Sequence, residues 1–457
     1  MSRPQISSRH HKQPRLRFTD SAALTSFAGL VVVQALFGVL DFSERLRRSL
    51  RRSTGGRYKL WRMVKLLVVH LMLGWTRLRH IDHYRKDPMV LRVLGLRRLP
   101  DVSTVSRTLA NADDHDCEAL RGLNRELVED RLRSLHPKEL TLDFDGTVQS
   151  TRAHAEGSAV GFNKRKKGAR SYYPLLVTSA ITSQIYDVLH RPGNAHDSRG
   201  AADFALSSFE RLSEVCPRSK MGARIDSAHF NEDMLRGLHQ AGVRFTCSVP
   251  WRRFPVLKAI AAAADGWEAC EQRGVSVKEI DFKPKRWDRG WRTLVVRQLR
   301  RKPVKGPIQL ELFEPVSRVF EYSVIVTNRR HSASNVVSYH HGRGSQEKLF
   351  GEAKEHAGLG IVMGRRRAAN EMFTVCAMMA HNLGREWQMR SLKRRRDQGP
   401  GQRSAWRFDS LGTLSRKVLH RAGRLIRPQG ELTLEMNADE GVERELRQAL
   451  DGLQAAA

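Results

Sequence analysis

At residue 138 the hydrophobic period of this chain changes from that of helices to that of strands. In ELTLDFDGTVQ, residues 139–149, Leu142 and Phe144 point one way while Thr141, Asp143 and Asp145 point the other. Two more strands come after it, YYPLLVTSAIT (172–182) and QIYDVLHRPGN (184–194), joined around Ser183. A helix over 198–215 comes next, then the strand MGARIDSAHF (221–230), a helix over 231–242, and the strand VRFTCSVP (243–250). The order strand–strand–strand–helix–strand–helix–strand predicts an α/β fold, a mixed sheet with helices packed on it.

The flanks read differently. Residues 1–18 form a basic arm, and 19–134 are helical, with apolar residues at three-and-four spacing around 24–40, 57–74 and 117–134. LPDVSTVSRTL (99–109) has a Pro–Asp turn and Ser103 as a cap before a short helix, compatible with a helix-turn-helix or with plain helical packing. Residues 251–330 read as a β-rich insertion: a helix at 256–264, then VSVKEIDF, WRTLVVRQLR, IQLELFE and YSVIVTN as antiparallel strands. Residues 331–392 return to helix from 343 onward. Residues 393–457 begin with the basic linker KRRRDQGPGQRS, then hold a helix, a hairpin through GRLIRPQGELTLEM and a last amphipathic helix.

Composition narrows the partners. Apolar residues make up 40% of the 457, enough for a sizeable core. Lys and Arg number 80 against 48 Asp and Glu, a net charge of +32. A surplus of that size calls for a polyanion, and nucleic acid is the usual one. The runs RLRRSLRRS (45–53) and KRRR (393–396) are candidates for DNA-backbone contact, or else solvated faces. A membrane partner is not expected. The run at 27–42 is too short to span, and LWRMVKLLVVHLMLGW (60–75) carries Arg62, Lys65 and His70, which reads as an amphipathic helix. Residues 1–18 lack the apolar stretch of a signal peptide. Five scattered cysteines without a CxxC pair fit a reducing cytosol and no structural zinc.

Aspartates stand in two of the apolar strands. Asp143 and Asp145 share one side of their strand; Asp226 ends another, ARIDS, where it also suits a helix cap. Carboxylates on adjacent strand ends need a cation, and hard oxygen donors imply Mg²⁺ or Mn²⁺. Further on, SYHHGRGSQEKLFGEAKEHAGLG (338–360) places Tyr339, Arg343, Glu347 and Lys354 close together on a helical wheel. Leu349, Phe350, Ala353 and Ala357 form the adjacent apolar face. The charged line is either an Arg343–Glu347 surface pair or the border of an active site.

Taken in order, Asp in DFDGT, Asp in RIDS and Glu in YHHGRGSQEKLFGEAK resemble the DDE transposases of bacterial insertion sequences. The likeness is closest to the group with a Tyr–Arg–Glu–Lys signature. Three residues separate Tyr339 from Arg343, where that group commonly has two. YYPLL, RPGN (191–194), VIVTN (324–328) and AHNLGR (380–385) also look like that family, so the resemblance covers roughly residues 20–435. It implies a ribonuclease-H-like core with flanking helices, a helical DNA-binding domain before it and a β-rich insertion before the third carboxylate. It implies Asp145, Asp226 and Glu347 as catalytic, metal-binding residues for two Mg²⁺ ions, with Mn²⁺ able to substitute. Asp143 is the rival to Asp145, which is preferred because the family's first aspartate tends to precede one residue and then Thr. Arg343 and Lys354 would clamp phosphates, and Tyr339 would bond one through its hydroxyl. Trp287 and Trp291 would stack on a displaced base or simply pack within the insertion; His196 is a weak candidate.

The function implied is cleavage and strand transfer at terminal inverted repeats of double-stranded DNA, by a dimer or larger assembly in a bacterial cytoplasm. The rivals are a nuclease of the same core that does not join, and a non-catalytic DNA-binding protein.

Overall fold

The computed structural model describes residue 16 and residues 23–52, 58–151, 154–161, 163, 166–196, 199–263, 265–299, 320–395, 399 and 401–455. Most of the expected basic arm, the expected strand IQLELFE and the end of KRRR lie outside these residues. Among the described residues there are fourteen α-helices around one nine-stranded mixed sheet.

The sheet's strands are β1 (Glu139–Gly146), β2 (Leu175–Ser179), β3 (Gln184–Leu189), β4 (Lys220–Ile225), β5 (Arg244–Ser248), β6 (Glu268–Ala269), β7 (Val275–Phe282), β8 (Trp291–Leu299) and β9 (Phe320–Thr327). Their spatial order is β6-β7-β8-β9-β5-β4-β1-β2-β3. β1 pairs antiparallel with β2 and parallel with β4, and β4 pairs parallel with β5. β9 pairs antiparallel with β5, so the inserted strands continue the same sheet rather than forming a separate one.

The parallel centre is made of short apolar strands because both of its faces are covered. Phe144, Val177, Ile225 and Phe245 are all buried in one core with the helix Ala201–Val215. A second core joins regions far apart in sequence. The N-terminal helices Leu30–Val39 and Leu60–Met72 share it with the central helix Arg367–Ser391 and the last helix, Glu440–Gln454. Leu24–Thr25 even pairs with Gly423–Ile426, tying the two ends of the chain into a three-stranded sheet with Thr433–Met436.

Two local expectations are corrected. The Leu60–Met72 helix is buried nearly all round, not amphipathic. Lys65 lies over the Phe37 ring, where burial pushes its ammonium down to about 8, and His70 bonds the Tyr84 hydroxyl at 2.5 Å. The short helix is Val102–Ala110 with Asp101 at its cap position, so Ser103 sits inside it; the Asp101 carboxylate is drawn to Arg85 instead of capping.

The Arg367–Ser391 helix braces the β3 edge of the sheet. It is buried over most of its length, so its polar groups must find partners. Asn382 does so against the edge strand: its Oδ1 accepts from the Ile185 amide at 2.8 Å and its Nδ2 donates to the Ile185 carbonyl at 2.7 Å. The edge of the sheet is thereby paired by a side chain. Among the described residues, no helix is long and apolar enough to cross a membrane.

Candidate active site

β1 and β4 run parallel with Phe144 opposite Ile225. The next residue of each is an aspartate, so Asp145 and Asp226 stand side by side where the β1–β4 ladder ends, with Asp145 still paired to Leu176 of β2. Asp226 also does what an aspartate after a strand ordinarily does. Its Oδ1 accepts from the Ser227 amide at 2.7 Å and opens the turn Ser227–His229, after which Asn231 caps the helix Glu232–Gln240.

The guanidinium of Arg343 lies between the two carboxylates. Its Nη2 is 3.3 Å from Asp226 Oδ1 and its Nη1 is 3.7 Å from Asp145 Oδ2. The contacts are loose and open to water: the Asp145 and Asp226 side chains keep 20% and 31% of their exposure. Burial nevertheless pushes the Asp145 carboxyl up to about 6. The Arg343 charge pulls it down, while the fields of Asp226 and Glu347 push it up again. Two further carboxylates thus act on Asp145, with a single guanidinium between it and Asp226, an arrangement that favours a further cation.

Glu347 comes from above the sheet. The helix expected from 343 onward begins at Gly344, as Gly344–His356, with Arg343 at its cap position, and a separate helix, Ala333–His341, precedes it across Gly342. Glu347 is exposed in the first turn of the second helix, where the helix dipole favours an acid. Below it, Leu349, Phe350, Ala353 and Ala357 are buried, the face anticipated from the sequence. Leu349 and Phe350 each contribute about 1.5–3 kcal/mol by leaving water. Polar anchors fix the remaining freedom. Gln346 Nε2 donates to Thr178 Oγ1 at 3.2 Å, and Glu352 takes Arg385 at 2.6 Å and the Leu411 amide at 3.2 Å. Among the described residues, no three His, Cys, Asp or Glu side chains are close enough together to hold a metal ion. Glu347 reaches Asp145 through its field without closing on it.

Tyr339 does not reach this surface, contrary to the expectation that it bonds a phosphate. It is buried, its hydroxyl lies 3.1 Å from Thr141 Oγ1, and Arg329 covers its ring at 3.7 Å. The physical reason is enclosure: Arg224 and Arg329 lie over its ring and Thr141 meets its hydroxyl. Lys354 is half-buried two turns after Glu347, its stem lying over Gly360. Asp143 is sealed: both its oxygens meet Arg224, at 2.5 and 2.7 Å. Trp291 is buried against Phe245, which excludes it as a base platform, and Trp287 stacks on Phe230 at 4.6 Å. His196 contributes its backbone carbonyl to Arg191.

Arg224, Gln346 and Glu352 escaped the sequence reading. For Arg224 a signal existed. It stands two residues before Asp226 in an apolar strand, as Asp143 stands two residues before Asp145.

The sequence matches the family model described as Transposase DDE domain group 1 over residues 7–457. The chain belongs to that family. No protein of curated function matches this transposase. Among solved structures it is similar to the piggyBac transposase in a cryo-EM synaptic complex with hairpin DNA, at 11% identity. That likeness covers 86% of this chain and 79% of the other with a TM-score of 0.39.

Proposed function

We propose that this DDE transposase binds the terminal inverted repeats of an insertion sequence and carries out metal-dependent cleavage and strand transfer there. Asp145, Asp226 and Glu347 are its metal-binding carboxylates, on a ribonuclease-H-like core formed by the β3-β2-β1-β4-β5 half of the sheet. The observation that carries this reading is the pair of aspartates on adjacent parallel strand ends, with the field of Glu347 acting on the first.

The donor set fits hard divalent cations, because carboxylates offer only oxygen and this pair already draws in a guanidinium. When bound, two Mg²⁺ ions, or Mn²⁺ in their place, supply a water or DNA hydroxyl of lowered pKa and stabilise the leaving oxygen. The chain's own residues do the rest. Asp145 and Asp226 are held rigidly by the sheet, and Glu347 approaches on a helix whose apolar face is fixed. Arg343, being only loosely held, is free to pass from carboxylate to phosphate, which its planar fork suits; Lys354 neutralises a second phosphate as a point charge. Surplus positive charge over the surface holds the duplex, and synapsis of two ends calls for a dimer or larger assembly.

The test is a labelled terminal-repeat duplex with Mg²⁺ or Mn²⁺, followed by joining of pre-cut ends to a target. Cleavage and joining are expected, both lost in Asp226→Asn. Cleavage without joining would make the protein a nuclease, and binding without cleavage a non-catalytic DNA-binding protein.

A further inference from the structure

Beneath the aspartate pair lies a second, closed one. Asp143 and Arg224 are directly opposed in the β1–β4 ladder, two residues below Asp145 and Asp226. Arg224 is fully buried, and each of its three guanidinium nitrogens has a partner. Nε and Nη2 grip the two oxygens of Asp143; Nη1 donates to the Gly401 carbonyl at 2.8 Å and to the Tyr339 carbonyl at 3.3 Å. One side chain therefore joins four segments: β1, β4, the end of the helix Ala333–His341, and the loop around Gly401.

Three of those segments lead directly to the carboxylates. β1 carries Asp145, β4 leads to Asp226, and Tyr339 is followed by the break from which Arg343 and Glu347 depart. The break itself is pressed against the hub: a side chain at Gly342 would collide with the Gly401 carbonyl and with Arg224 Nη1. The loop is held down on its other side, where Gln402 Oε1 accepts from Thr141 Oγ1 at 2.5 Å and the Ala405 amide donates to the Ile181 carbonyl at 2.9 Å.

A buried ion pair is weak support for stability, since apolar residues of similar volume often serve as well. What an Asp–Arg fork adds is direction: it fixes the separation and rotation of the groups it joins. We propose that Asp143 and Arg224 are a positioning pair that sets how the Glu347 helix stands over Asp145 and Asp226, with the Gly401 loop as its clasp. This rests on the three carboxylates being the metal site.

The experiment uses the full chain on a terminal-repeat duplex with Mn²⁺ as the probe. The double variant Asp143→Leu/Arg224→Met removes both charges and keeps the volume. Its melting temperature is expected within a few degrees of wild type, and its duplex binding in Ca²⁺ within about threefold. Mn²⁺ bound by the complex, counted by electron paramagnetic resonance, should need at least tenfold more free Mn²⁺ for half-occupancy. The cleavage rate at saturating Mn²⁺ should fall at least tenfold. Arg224→Lys, which keeps the charge and loses the fork, should show the same Mn²⁺ weakening and decides the matter should the double variant fail to fold. Wild-type Mn²⁺ occupancy in either folded variant would overturn the proposal. Asp145→Asn is run alongside: if it too binds Mn²⁺ and cleaves normally, the metal-site reading fails rather than the positioning role.

Discussion

Two Asp–Arg arrangements lie one above the other on the same pair of strands, and they differ in almost everything but composition. The lower one, Asp143–Arg224, is shut off from water, with side-chain exposures of 3% and 0% and contacts of 2.5 and 2.7 Å. The upper one, Asp145 and Asp226 around Arg343, is partly wet and stands at 3.7 and 3.3 Å. Below, one acid meets one base in a two-pronged fork. Above, two acids share one base within the field of a third, and burial pushes Asp145 up to about 6. The same residue types thus build a fixed joint where the lone pairs are used up, and a cation-hungry site where they are not. Depth in the sheet makes the difference: two residues further along, the β1–β4 ladder has ended and water enters.

Chemistry is where the two arrangements should part most widely. Asp226→Asn and Glu347→Gln remove two of the proposed metal ligands, worth several kcal/mol of charge stabilisation in that role, so cleavage should fall by about a thousandfold or more, with repeat binding within a few-fold. Labelled-duplex cleavage checks this, and wild-type rates for Glu347→Gln would make its helix an ordinary charged surface.

Stability should then separate the two arginines. Arg224→Met leaves Asp143 buried without a counter-charge and should cost about 3–5 kcal/mol in urea unfolding. Arg343→Met breaks only loose, hydrated contacts and should cost less than about 1 kcal/mol. Equal costs would mean that the closed and open arrangements are held alike.

A third effect concerns pH. The Asp145 carboxyl is raised in the folded protein above its ordinary value of 3.8, so its ionisation weakens the fold at neutral pH. That penalty fades as pH falls through about 6 and is gone below the unfolded value. Asp145→Asn should accordingly be more stable than wild type at pH 7.5, by about 1–3 kcal/mol, and show no advantage near pH 3.5. Metal-dependent cleavage by the wild type should decline as pH drops through about 6. An Asn variant with the same advantage at both pH values would place the effect elsewhere.

Lys354→Ala should do least. Loss of one phosphate contact should weaken repeat binding a few-fold and reduce the slope of log K against log salt by about 0.9. An unchanged slope would mean that Lys354 serves only to pack its stem on Gly360.

Much of this molecule was legible before its fold. Alternation in residues 139–146 marked β1, and the apolar run ending in Asp226 marked β4, because strand period and burial are local properties. The apolar face of the Glu347 helix was equally plain, since Leu349, Phe350, Ala353 and Ala357 repeat at helical spacing. Two errors share a cause. Putting Tyr339 on one line with Arg343 placed it at the surface, but Arg224 and Arg329 lie over its ring and Thr141 stands beside its hydroxyl. Reading Leu60–Met72 as amphipathic put Lys65 and His70 on the surface, but Lys65 lies over the Phe37 ring and His70 bonds the Tyr84 hydroxyl, while the helix's apolar residues share a core with the central helix. Helical spacing within one segment reveals none of these neighbours.

The strands, the helix faces, the excess of positive charge and the order of the three acids are written in the chain alone, because each depends on residue types or on neighbours a few positions away. Which aspartate of β1 is open and which is closed is settled by the fold. Asp143 and Asp145 have the same strand, the same side and the same side chain. What separates them is what lies opposite. Arg224, 81 residues later, meets Asp143 in a dry interior, whereas Asp145 stands where the β1–β4 ladder has ended, beside a second aspartate and within the field of a glutamate. A carboxylate's role is set by the charges and water around it, and those arrive from distant parts of the chain.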